Sequence, residues 1–145
     1  MNDIERRVAA LEARHEISEL RARYCWYITR AMLPELVALF TDDGVFENTR
    51  NAAAPPVRVC GRDELARFFQ KTQAGRRTPM VANEVIHIGD SEAEGTCVMV
   101  SFGDDSFCGH YVDTFRKVDG RWLFSARRFR PYWPDYRPDP THLHP

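Results

Sequence analysis

The feature that most constrains this chain is Asp119-Gly120, set between two alternating apolar runs that together stretch from Cys108 to Phe129. An Asp-Gly pair in that setting predicts a two-residue hairpin turn, because both turn residues need positive φ and few other pairs adopt it cheaply. Side chains alternate along a strand, so Tyr111, Asp113 and Phe115 share one face of the first arm. Leu123, Ser125, Arg127 and Phe129 share one face of the second. With the Tyr111 and Arg127 faces turned the same way, a phenol, a carboxylate and a guanidinium converge on one concave surface.

The rest of the chain supplies what such a hairpin must pack against. Asp3 to about Ala31 has helical spacing, with Ile4, Val8 and Leu11 followed by Ile17, Leu20, Tyr24, Tyr27 and Ile28 after a phase shift near His15. Pro34 opens a second short helix with Leu36, Leu39 and Phe40 on one side, ended by Thr41-Asp-Asp-Gly44. Val45–Glu47 and Val57–Cys60 read as short strands around a polar, proline-bearing loop. A third helix starts at Gly61-Arg62 and closes near Gly75. Met80–Ile88 and Ala93–Phe102 are strands joined at Gly89-Asp90. Residues 1–130 form one domain and the proline-rich segment 131–145 a tail, since Pro131, Pro134, Pro138, Pro140 and Pro145 oppose regular structure. Helices first and a long antiparallel sheet afterwards define an α+β class, a curved sheet over N-terminal helices with a cone between them.

Charge and cysteine usage exclude several function classes. Twenty basic and 21 acidic residues leave a net charge of −1, and the arginine doublets are scattered, so no basic surface for nucleic acid or an anionic membrane is expected. Cys25, Cys60, Cys97 and Cys108 lie far apart without a C-x-x-C pair, which suggests buried thiols in a reducing compartment rather than a metal site. His142-x-His144 in the tail lacks a third ligand, and no metal is expected. The N-terminus has no apolar core of a signal peptide, and no run approaches the ~18 apolar residues of a membrane span. A cytoplasmic location is expected.

Four segments in order, Leu36–Gly44, Gly61-Arg-Asp-Glu-Leu65, Val81–Ile86 and Tyr111–Trp122, resemble the SnoaL-like branch of the nuclear-transport-factor-2-like superfamily. The resemblance runs over nearly the whole chain to about Phe129. It implies a cone-shaped, cystatin-like α+β barrel with a curved antiparallel or mixed sheet. It also implies an interior pocket for a hydrophobic, aromatic or polycyclic small molecule, cofactor-free proton transfer of the lyase, isomerase or cyclase kind, and homodimers or homotrimers.

Relatives that eliminate water or chloride hold an Asp near the end of the first helix and a His before the strand containing Asn83. Here those positions fall on Thr29 and on Pro79 or Met80, none of which accepts a proton near neutral pH. The resemblance leaves two readings. In the first, Asp113 is a relocated general base, Arg127 and Tyr24 polarise the substrate oxygen, and Thr29, Asn83 and Tyr111 orient it, with Tyr27, Phe46 and Trp133 completing the pocket. In the second, the protein binds a small molecule without catalysis, and Asp113 is an internal ion-pair partner of Arg127.

Overall fold

The computed structural model describes residues 1–49, 56–103 and 106–132. Helix α1 spans Asp3–Thr29 and starts in a reciprocal capping box: the Asn2 side chain accepts from the Glu5 amide, and the Glu5 carboxylate accepts from the Asn2 amide, each at 2.8 Å. Its first three turns stand clear of the domain. Ile4, Val8 and Leu11, an expected core stripe, are 70 %, 46 % and 66 % exposed. Packing begins at Ala13 and Ile17 and continues through Leu20, Arg21, Tyr24 and Ile28, the i, i+3, i+4 face that meets the sheet.

Helix α2 (Leu33–Val37) is shorter than its periodicity suggests, because Phe40 belongs to the next strand, β1 (Phe40–Asn48). There Phe40 lies opposite Phe124. Tertiary pairing overrides the helical pattern in this stretch, and Thr41–Gly44 lies within the strand. Strand β2 (Val57–Cys60) pairs antiparallel with β1, and α3 (Arg62–Thr72) follows it. Gly75, at φ +71, ends the connection by donating its N–H to the Ile28 carbonyl.

Strands β3 (Arg77–Ile88), β4 (Glu92–Gly103), β5 (Phe107–Val118) and β6 (Arg121–Tyr132) form an antiparallel meander. The full order is β2-β1-β6-β5-β4-β3, and β1 runs parallel to β6, so the sheet is mixed. Asp119 (φ +49) and Gly120 (φ +78) make the expected hairpin turn. Pro131, given to the tail by sequence, is a strand residue opposite Gly109. β1 last pairs at Phe129, so beyond that point β6 has no β1 neighbour to need the missing N–H. Trp133 and the His142-x-His144 pair lie outside the described residues.

Strand parity departs from the simple reading in two places. In β6 the register shifts between Thr114 and Phe115: Thr114 faces Ala126, whereas Phe115 faces Phe124. Ser125 is the extra residue, a β-bulge. Trp122 and Phe124 therefore point inward before it and Arg127 and Phe129 after it, while Leu123 and Ser125, expected on the Arg127 face, are only half-buried. The Ser125 hydroxyl donates to Thr114 Oγ1 at 2.9 Å instead. In β3 the register shifts between Ala82 and Val85, and Asn83 adopts φ +53.

Candidate functional site

The interior is built around one fully buried acid. Asp113 projects inward from β5 between Arg127 on β6 and Arg21 on α1, all three 0 % exposed. Arg127 Nε donates to Asp113 Oδ1 at 2.9 Å, and Arg127 Nη2 to Oδ2 at 3.0 Å, a two-pronged pair. Arg21 Nε donates to the same Oδ2 at 3.0 Å. Arg21 Nη1 reaches Glu84 at 3.2 Å, and Glu84 also accepts from the Ser18 hydroxyl at 2.8 Å. The bulge of β3 places Glu84 within this chain of charge. Two guanidiniums thus face two carboxylates, so the cluster is close to neutral.

An aromatic cage closes over the pair. The Arg127 guanidinium lies 3.8 Å from the Tyr111 ring centroid, 4.3 Å from Tyr24 and 4.5 Å from Phe124. Tyr24 in turn meets Phe40, Phe69, Tyr111 and Phe124 edge-on, at centroid separations of 5.9–6.3 Å. Such contacts satisfy the ring quadrupoles and sandwich the cation between electron-rich faces. Burial works against the Arg127 cation, but the Asp113 charge and hydrogen bonds more than reverse this, holding the guanidinium above its ordinary range. Burial pushes the phenols of Tyr24 and Tyr111 well up, with the Arg127 charge opposing it, so both remain O–H groups at neutral pH.

Sequence reasoning brought Tyr24, Tyr111, Asp113 and Arg127 together, and so they stand, but packed on one another rather than around a shared hollow, with Tyr111 also on the wall of a small cavity. It missed Arg21. The available signal was an arginine on the same helical face as Ile17, Leu20 and Tyr24. Gly95 shares responsibility: it lies opposite Asp113, and a Cβ there would meet the Val85 carbonyl oxygen at 2.3 Å and Arg21 Nη2 at 3.2 Å.

The remaining sequence-expected residues are dispersed. Thr29 is half-buried and its hydroxyl donates to the Cys25 carbonyl at 2.8 Å. Ala22, Cys25, Trp26, Thr29, Pro79 and Met80 line a groove of about 330 Å³ between α1 and edge strand β3. Asn83 is exposed at the β3 bulge and contributes to no interior site, because its backbone geometry turns it out. Tyr27 lines a separate outer groove with Arg121 and Trp122. Phe46 lines a small cavity of about 90 Å³ with Asn48, Phe68, Arg77, Tyr111 and Phe129. His110 lies opposite Tyr111 in facing and is buried, with Nδ1 2.8 Å from the Tyr132 hydroxyl.

The cysteines are free thiols. Cys97, beneath Arg127 and Asp113, is pushed up to about 12 by burial, and burial raises Cys25 as well. Only the thiolate is nucleophilic, so access and ionisation act together. Native protein should react rapidly with a maleimide at exposed Cys60 and Cys108, more slowly at Cys25, and at Cys97 only on unfolding. Mass-spectrometric counting of labels against time checks this, and fast labelling of Cys97 would contradict the closed interior.

Among the described residues no cluster of His, Cys, Asp and Glu is arranged to hold a metal ion, and no helix is long and apolar enough to cross a membrane.

Comparison with known proteins agrees with this architecture. A cystatin-like-fold protein of unknown function from Nostoc punctiforme is 22 % identical, aligns over 84 % of this chain and 92 % of its own, and superposes with a TM-score of 0.71. An NTF2-like protein from Novosphingobium aromaticivorans is 18 % identical, with coverage of 92 % and 90 % and a TM-score of 0.75. The hexachlorocyclohexane dehydrochlorinase LinA-type3 from Novosphingobium barchaimii is 15 % identical, with coverage of 91 % and 92 % and a TM-score of 0.75. At these identities the likeness is one of fold. A search among curated proteins finds no match. The family model of the SnoaL-like domain matches residues 9–128, and the chain accordingly belongs to the SnoaL-like domain family.

Proposed function

We propose that this protein binds a hydrophobic small molecule without transforming it, in the groove between α1 and β3. The observation that carries the reading is the composition of that groove. Thr29 and Pro79 or Met80, the positions where the resemblance puts the Asp and His of eliminating relatives, line one groove of about 330 Å³ with Cys25, Trp26 and Val81. That volume suits a compact apolar ligand, and its walls hold no acid or base able to work near neutral pH. Asp113, the relocated base of the alternative, has both oxygens engaged by three guanidinium N–H groups. A carboxylate so occupied is a structural anion.

Trp26, 63 % exposed on the groove wall, is the natural reporter. Protein carrying 5-fluorotryptophan is titrated with 1-naphthol and followed by 19F NMR, the Trp26 signal being assigned with Trp26→Phe. The Trp26 resonance should shift saturably while that of buried Trp122 stays in place, Met80→Glu should abolish the shift, and naphthol should be recovered unaltered. An unresponsive Trp26 removes the reading.

A second reading keeps catalysis, and Tyr111 favours it. Its protonated phenol lines the interior cavity with the Arg127 cation 3.8 Å beneath the ring. It would serve a cofactor-independent lyase as hydrogen-bond donor to the departing anion, a developing charge of the kind that preorganised donors stabilise by a few kcal/mol. Chloride release from hexachlorocyclohexane by the wild type, lost in Tyr111→Phe, would establish this second reading in place of the first.

A further inference from the structure

The interior cavity contains a polar feature that neither reading uses. It measures about 90 Å³ and is walled by rings, among them Phe46, Phe68, Phe107, Tyr111 and Phe129. Gly109 makes the room for the Phe129 ring, since a Cβ there would lie 2.5 Å from Phe129 Cε2. Into this wall β3 contributes Arg77, the first residue of the strand. Its guanidinium carbon lies 4.6 Å from the Phe107 centroid, which fixes the plane of the fork. Arg77 Nη1 is buried and makes no hydrogen bond among the described residues, and the same is true of Asn48 Oδ1 on that wall, which also carries Thr72, Gln73 and Tyr111. None of the ion pairs formed among the described residues includes Arg77.

Arg77 as a whole is half-buried, and what sets it apart from the two buried arginines, which also have one Nη without an acceptor, is the lack of a facing carboxylate among the described residues. Arg21 and Arg127 each face a carboxylate at 3.0 Å or less. A buried donor atom left without an acceptor is unfavourable, and on a cationic fork it is best relieved by an anionic acceptor. A guanidinium fork matches the planar, two-oxygen geometry of a carboxylate. A cavity of this size takes the place of roughly three waters, room for a carboxylate with a short apolar stem against the rings. The Asn48 amide, whose oxygen and nitrogen exchange places by a flip, would present its N–H to the second carboxylate oxygen.

We propose that the cavity is a binding site for small monocarboxylic acids, with Arg77 as the anion-recognising residue and the ring of aromatic side chains seating the stem. The site is distinct from the α1–β3 groove, so the two stand or fall separately.

The test is calorimetric titration of the wild type with formate and acetate at constant ionic strength, against the neutral isosteres formamide and acetamide and against inorganic phosphate. Acids should bind at least tenfold more tightly than their amides, and phosphate should not compete. Arg77→Gln should erase the difference between acid and amide, while Arg76→Gln, at the exposed neighbour, leaves it intact. Titration of the Arg77 side-chain Nε–H signal in 15N NMR gives a readout that needs no variant. Equal binding of acid and amide, equal loss in the Arg76 and Arg77 variants, tight phosphate binding, or an Arg77 signal that does not move with acetate would each overturn the assignment.

Discussion

Asp113→Asn is expected to unfold the protein far more readily than a loss of catalysis would require, with stability falling by about 3–5 kcal/mol and the melting temperature by on the order of 15 °C. The substitution removes the anion that faces both Arg127 and Arg21, each fully buried and each donating to it. Two cations are then left in an aromatic interior with Glu84 as the remaining partner of one of them. Thermal unfolding followed by circular dichroism measures the effect. A variant that melts like the wild type would mean that Asp113 is not the structural anion described here, and would restore it as a candidate base.

Phe124→Ala should cost a similar amount, about 3–5 kcal/mol, because it opens a void at the centre of the ring cluster. Phe124 is 0 % exposed and touches Phe40 and Phe115, each at a centroid separation of 5.2 Å, as well as Tyr24 and the Arg127 cation. Leu123→Ala, one residue away, should cost less than about 1.5 kcal/mol, since the bulge at Ser125 turns Leu123 to the outer face. Urea unfolding of the two variants side by side tests the face assignment as well as the packing. Equal losses would show that the inner face of β6 has been assigned wrongly.

That comparison also shows what the sequence could and could not reveal. The hairpin at Asp119-Gly120, the three helices and the meander were legible, because turn chemistry and apolar periodicity are local. Tyr111 and Asp113 were placed on the inner face correctly for the same reason. Leu123 and Ser125 were not, because a bulge depends on how two strands meet and leaves no mark on alternation. The grouping of Asp113 with Arg127 was readable from register across one hairpin. Arg21 was not, since its partner is 92 residues away and only the assembled sheet brings them together. The exposed Ile4, Val8 and Leu11 mark the converse limit: a helical stripe shows which side of a helix is apolar, but not how much of its length the domain is wide enough to cover. Arg77 and Asn48 gave no signal at all, as their common wall forms from the ends of β1 and β3.

The position of β6 between β1 and β5 fixes an order of assembly. While the polypeptide is being synthesised, the β1–β2 pair and the β3–β5 meander can each form, yet neither has an edge that belongs against the other. The final strand is the keystone that joins them, and it also delivers the second arginine to Asp113. Until that strand emerges from the ribosome, the acid and the first helix's arginine meet, if they meet, in a half-built and water-filled interior.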